Sequence, residues 1–102
     1  MDKPKVVVAE VIAPAGIEAL ERTCSVDDAS GVSRSDLLER LQGAQGLVVR
    51  SATMVDAELL AAAPGLKVVG RAGVGVDNID LKAATEAGVL VVNAPTANTI
   101  SA

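Results

Sequence analysis

Two arginines, two hydroxyls and a cluster of glycines are the residues of this chain best suited to hold an anion. Arg50-Ser51, with Thr53 close behind, follows one short apolar run, and Gly70-Arg71-Ala72-Gly73-Val74-Gly75-Val76-Asp77-Asn78 follows another. A guanidinium meets a carboxylate or phosphate through paired N–H bonds. Glycines, lacking Cβ atoms, let the backbone N–H groups of a loop come close to a ligand. A third segment, Asn93 to Asn98, adds the carboxamide of Asn98. Such a set can bind an anion, but the residues to transform one are missing. The chain has no histidine, Cys24 has no base in view, and no paired carboxylates converge on these segments.

Each of these residues also has a plainer reading. An arginine at a strand end is often solvated or part of a structural ion pair. Ser51 and Thr53 could organise the turn into the next helix. Asp77 and Asp80 suit turn geometry and helix capping, and Asn98 alone suits a loop or a cap. The glycines are not a dinucleotide fingerprint either. After Gly73-Val74-Gly75 the third glycine position is Asn78, and that fingerprint belongs to the first strand of its fold. A phosphoryl-receiver module would need carboxylates clustered at its first and third strand ends; Glu10 stands alone at the first and Arg50 occupies the third.

The elements that must position these residues alternate between strand and helix. Val6 to Ala9 is a β-branched run suited to a strand covered on both faces. Pro14 can open a helix with Ile17 and Leu20 on one side. A weak strand near Ser25 to Asp27 reads as an edge. Ser33 with Asp36 resembles a capping box ahead of Leu37, Leu38 and Leu41, and Gly43 ends that pattern. Leu47 to Val49 is a third strand. Asp56 caps a helix through Ala63, Pro64-Gly65 stops it, and Leu66 to Val69 forms a fourth strand. Asp80 precedes a helix over Leu81 to Ala87, Gly88 ends it, and Val89 to Val92 is a fifth strand. Strands separated by helices of about 8 to 10 residues imply parallel pairing through right-handed crossovers. The fold class expected is α/β: a doubly wound, parallel five-stranded sheet with helices on both faces. Ligands of such sheets collect beyond the carboxyl ends of the strands, where the arginines and glycines fall.

Composition narrows the partners. The chain has 102 residues, suited to one domain, half of them apolar but none aromatic, so the core is built from Val, Leu, Ile and Ala. Nine basic and thirteen acidic residues give a net charge of −4 with no basic tract, which argues against nucleic acid. No apolar run approaches a membrane span. One cysteine allows no intrachain disulfide, and neither a CxxC nor a Cys/His cluster is present to hold a metal. The opening MDKPKVVVAEV has no signal-peptide apolar core, Glu10 interrupting it. A cytoplasmic location is expected.

The segment GRAGVGVDNIDLKAATEAGVLVVNAP, with the earlier VVRSAT and the later TANTISA, closely resembles the N-terminal part of D-2-hydroxyacid dehydrogenases. Essentially the whole chain takes part in the resemblance, in order and spacing. It implies a flavodoxin-like substrate-binding domain over residues 1–98, with 99–102 starting the helix that leads to an NAD-binding domain beyond Ala102. It implies that Arg50, Ser51, Thr53, Arg71 and Asn98 lie at or near the substrate. The backbone around Gly73, Val74 and Gly75 would face the substrate carboxylate, with Val74 also near the nicotinamide. The activity implied is NAD-dependent oxidation of 3-phosphoglycerate to 3-phosphohydroxypyruvate, which opens serine synthesis. The substrate is thus a phosphorylated 2-hydroxy acid, and the NAD-binding domain of the parent chain is a partner. The catalytic arginine, glutamate and histidine would follow Ala102, so the segment alone is expected to be inactive and to bind no cofactor. A returning segment would complete the fold, and its absence would expose apolar surface through which two copies could pair weakly. The alternative is a noncatalytic flavodoxin-like binding or interaction module.

Overall fold

The computed structural model describes residues 3–72 and 77–94. Its strands are β1 (Lys5–Val8), β2 (Ser25–Asp28), β3 (Gly46–Val49), β4 (Val68–Ala72) and β5 (Leu90–Ala94). The helices α1 (Pro14–Glu21), α2 (Arg34–Arg40), α3 (Ala57–Ala62) and α4 (Leu81–Glu86) alternate with them. All pairings are parallel, in the order β2-β1-β3-β4-β5. The expected doubly wound sheet is therefore present, and β2 is an edge strand. From β1 the chain steps one way to β2 and then back across to β3. Right-handed crossovers consequently place α1 on one face and α2, α3 and α4 on the other.

Side chains alternate between the two faces along each strand. The face under α2–α4 carries Val7, Leu47, Val49 and Val69, all essentially inaccessible. Leu37 and Leu41 of the α2 region, Leu59 and Leu60 of α3 and Ala84 of α4 close over them. The other face carries two rows read across the sheet, Val6-Gly46-Val68-Leu90 and Val8-Val48-Gly70-Val92. At the β1 end of these rows Val6 and Val8 are buried, but at the β5 end Leu90 is 63% exposed and Val92 43%. One helix beside β2 does not reach that far.

Local signals set the helix starts. Ser33 accepts the Asp36 N–H at 3.2 Å, Asp56 that of Leu59 at 3.0 Å and Asp80 that of Ala83 at 3.0 Å, each satisfying an otherwise orphaned donor. Gly43 and Gly88 end α2 and α4 with φ of +82° and +75°, which favours glycine. The helices have 8, 7, 6 and 6 residues, so α1 has the expected length and the other three run shorter.

The first strand lies one residue earlier than expected, at Lys5–Val8, and the fourth and fifth are also displaced. The fourth starts at Val68 and runs on through Gly70 to Ala72. Lys67 and Val68 both donate to Gln45 O, so pairing with β3 begins only there, and Leu66 is buried beneath the turn. The fifth starts at Leu90 because the Val89 N–H caps α4 through Ala84 O at 2.8 Å. No helix among the described residues is long and apolar enough to cross a membrane.

Candidate anion-binding site

Parallel pairing brings the carboxyl ends of β1, β3 and β4 to one edge. Val8 pairs with Val48, so Glu10, two residues past Val8, is level with Arg50, two past Val48. The Glu10 carboxylate accepts the backbone N–H of Arg50 at 2.6 Å, of Thr53 at 3.0 Å and of Ala52 at 3.1 Å. The Thr53 hydroxyl bonds to it as well. Burial alone would raise the Glu10 carboxyl, but these hydrogen bonds outweigh it and hold the group below its ordinary value.

The same loop is held by its carbonyls from the β4–α4 side. Asn78 Nδ2 donates to Arg50 O at 2.7 Å and to Thr53 O at 2.6 Å. Asn78 Oδ1 accepts the Arg71 Nε–H at 2.6 Å. Two residues past Thr53, the Val55 N–H donates to Asn78 O at 2.9 Å and the Asp80 N–H to Val55 O at 2.8 Å. The β3–α3 loop is thereby stitched to the segment leading into α4.

Of the residues expected at the site, Arg50, Ser51, Thr53 and Arg71 lie within the described residues. Arg50 is exposed, and its Nη1 donates to Val11 O at 3.3 Å. Ser51 is exposed and Thr53 half-buried. Arg71 is not in a loop beyond its strand, as the sequence suggested, but inside β4 and 7% exposed. Its register places it between Val49 and Asn93, because β4 continues three residues past Val69, to Ala72. Gly73, Val74, Gly75 and Asn98 lie outside the described residues.

Two residues at the centre of this arrangement were not read as site residues from the sequence. The sequence marks Glu10 as a lone acid at the first strand end and Asn78 as an amide where a fingerprint would have glycine. For Glu10 the signal is one of register: once Val8 pairs with Val48, Glu10 comes level with Arg50. Nothing local marks Asn78, whose partners are 7, 25 and 28 residues away.

Chemically, the edge offers one exposed guanidinium on a braced loop, one buried guanidinium and the Ser51 hydroxyl. That can recognise a carboxylate or phosphate, and the chain holds no histidine to move a proton. A cavity of about 470 Å³ adjoins the loop, with Ala9, Ala29, Val32 and Leu37 among its apolar walls. Its arginine, Arg34, is already engaged with Asp56 at 2.8 Å, Glu58 at 3.3 Å and Met54 O at 2.8 Å. Among the described residues no group of three or more His, Cys, Asp or Glu side chains could hold a metal ion.

Residues 6–102 match the family described as D-isomer specific 2-hydroxyacid dehydrogenase, catalytic domain. The D-3-phosphoglycerate dehydrogenase of Mycobacterium tuberculosis is 54% identical over 102 residues, all of this chain and 19% of that one. The crystal structure of the PH0520 protein from Pyrococcus horikoshii superposes with a TM-score of 0.83 at 31% identity, covering 89% of this chain and 27% of that one. The structure of NAD+-bound 3-phosphoglycerate dehydrogenase from Entamoeba histolytica gives a TM-score of 0.74 at 27% identity, over 89% and 32% of the two chains. The chain thus spans about a fifth of the length of the curated relatives it matches. With the family match running through nearly the whole chain and the same sheet recurring in solved relatives, this chain belongs to the D-isomer specific 2-hydroxyacid dehydrogenases.

Proposed function

We propose that this chain is the substrate-binding part of an NAD-dependent D-3-phosphoglycerate dehydrogenase, binding 3-phosphoglycerate at the edge formed by the carboxyl ends of β3 and β4. The observation that carries this reading is that Asn78 joins the Arg50 backbone carbonyl to the Arg71 guanidinium, so that two arginines share one ordered edge, which suits a substrate with two anionic groups. Identity of 54% to a phosphoglycerate dehydrogenase favours that substrate within the family. Ser51, Thr53, Gly73, Gly75 and Asn98 belong to the same proposed surface, with Val74 beside the nicotinamide.

The sheet itself does not suit a dinucleotide. A pyrophosphate would need a glycine-rich turn after the first strand, and there this chain has Ala9-Glu10-Val11, with a half-buried carboxylate bonded to the next loop. NAD, which accepts the hydride when bound, is therefore assigned to sequence outside this chain, as are the residues that move the proton. Residues 1–98 form the substrate-binding domain in this reading, and 99–102 begin the helix towards the NAD-binding domain. The uncovered end of the sheet, Leu90 and Val92, contacts sequence outside the chain; in the isolated chain a second copy takes its place weakly.

In the complete dehydrogenase, Arg50→Ala is expected to raise the KM for 3-phosphoglycerate at least about tenfold, as loss of a charge-assisted pair implies. An unchanged kcat/KM would remove Arg50 from the site. The 102-residue chain alone is expected to form no NADH from NAD and 3-phosphoglycerate, and turnover above background would overturn the division of labour.

A further inference from the structure

We infer that Glu10 and Asn78 are positioning residues for the anion site: together they hold the Arg50–Thr53 loop by its backbone and set the Arg50 side chain relative to Arg71. The inference rests on the proposed reading of Arg50 and Arg71 as substrate-binding residues. Glu10 takes the loop's N–H groups at Arg50, Ala52 and Thr53. Asn78 takes its carbonyls at Arg50 and Thr53. Both faces of the Arg50 backbone are thus engaged, its N–H by β1's end and its C=O by the segment after β4.

The chemistry of each brace is specific. Glu10 has to be acceptor-only, because every group that points at it is a donor. Asn78 has to be an amide, because it donates to two carbonyls while accepting from a guanidinium. Aspartate at that position would keep the Arg71 bond and set a carboxylate against two carbonyl oxygens. A further consequence concerns recognition: with those loop amides committed to Glu10, an anion at this loop is read by side chains, Arg50 and Ser51, rather than by a backbone nest. Fixing the loop in advance removes an ordering cost from binding.

The test uses steady-state kinetics of the complete dehydrogenase with 3-phosphoglycerate and NAD. Glu10→Gln and Asn78→Asp are each expected to raise the KM for 3-phosphoglycerate about tenfold or more, with kcat and the KM for NAD within about twofold. Leu41→Ala, a destabilising change in the distant core, is expected to leave all three constants near wild type. In an Arg50→Ala background Glu10→Gln is expected to add less than about threefold, because it acts through a side chain already removed. Glu10→Asp, which keeps the charge on a shorter stem, provides a milder variant should Glu10→Gln fail to fold, and is expected to give an intermediate KM. Wild-type KM in the Glu10 and Asn78 variants, a matching KM rise in Leu41→Ala, or full multiplication of the Glu10 and Arg50 effects would each overturn the positioning role. No effect of Arg50→Ala alone would instead sink the substrate-binding reading on which it rests.

Discussion

The Nε–H of Arg71 meets Oδ1 of Asn78 at 2.6 Å, with the two residues only 7% and 6% exposed. A guanidinium this deep in a small aliphatic core is tolerated because a hydrogen-bonded amide receives it. Lysine cannot reproduce the planar fork, so Arg71→Lys is expected to leave Asn78 Oδ1 poorly satisfied. The cost should be about 1–3 kcal/mol, read from the urea midpoint. Asn78→Leu should cost a similar amount, and the double variant less than the sum of the two, since one interaction is removed twice.

Acid stability should depend on Glu10 and Asp56. Glu10 is held low by the loop amides after burial opposes them; Asp56 is held low chiefly by the Leu59 N–H, with Arg34 assisting. In both, the folded value lies below the ordinary one, 4.5 for Glu10 and 3.8 for Asp56. Their stabilisation is therefore complete above those values and is lost as pH falls through the depressed ones. Tm followed from neutral pH into acid should fall steeply below the ordinary carboxyl range. In Glu10→Gln the curve should start lower at neutral pH and fall less. A parallel curve would show that Glu10 titrates alike folded and unfolded.

Two glycines on the sheet face opposite α2–α4 should respond differently to alanine. A Cβ at Gly46 would lie 3.2 Å from Cγ2 of the buried Val6, tighter than ordinary contact, with Cγ1 of Val68 at 3.6 Å beside it. Gly46→Ala is expected to cost about 1–3 kcal/mol by overpacking. At Gly70 the nearest atom, Cγ2 of Val92, is at an ordinary 3.7 Å. Gly70→Ala should be neutral or gain up to about 1 kcal/mol from reduced chain entropy. Chemical denaturation of both variants decides the contrast.

Leu90 and Val92, on adjacent rows at the β5 edge, are more exposed than an aliphatic sheet face usually is. The proposed weak pairing of isolated chains through this face predicts concentration-dependent association in light scattering with size exclusion, and its loss when both residues are replaced by lysine. The change should alter stability by less than about 1 kcal/mol, because neither side chain is well buried in this chain. Unchanged association would locate self-contact elsewhere.

Ser33 and Asp56 test how far the helix caps matter. Each alanine variant is expected to lose about 1 kcal/mol, with Asp56→Ala the more costly because Arg34 also loses a partner at 2.8 Å. Asp56→Asn should retain most of the cap and lose the ion pair, and thermal melts of the three variants order these effects.

Most of the fold was legible in the residues themselves, since helix starts and β-branched strands are local effects. Ser33, Asp56 and Asp80 cap where their side chains and following apolar spacing require, and Val6 to Val8 can only be a strand covered on both sides. Strand bounds were less legible: whether Leu66 or Val68 begins β4 depends on where Gln45 O lies, which is a matter of pairing between distant segments. The sequence by itself therefore determined an aliphatic α/β domain with Arg50 at the carboxyl edge of its sheet. Only the tertiary structure decided that Arg71 is buried in β4, and that Glu10 and Asn78 brace the loop of Arg50. The reason is physical: a brace works through backbone groups 25 to 43 residues away, and no spacing along the chain reports a contact that parallel crossovers create.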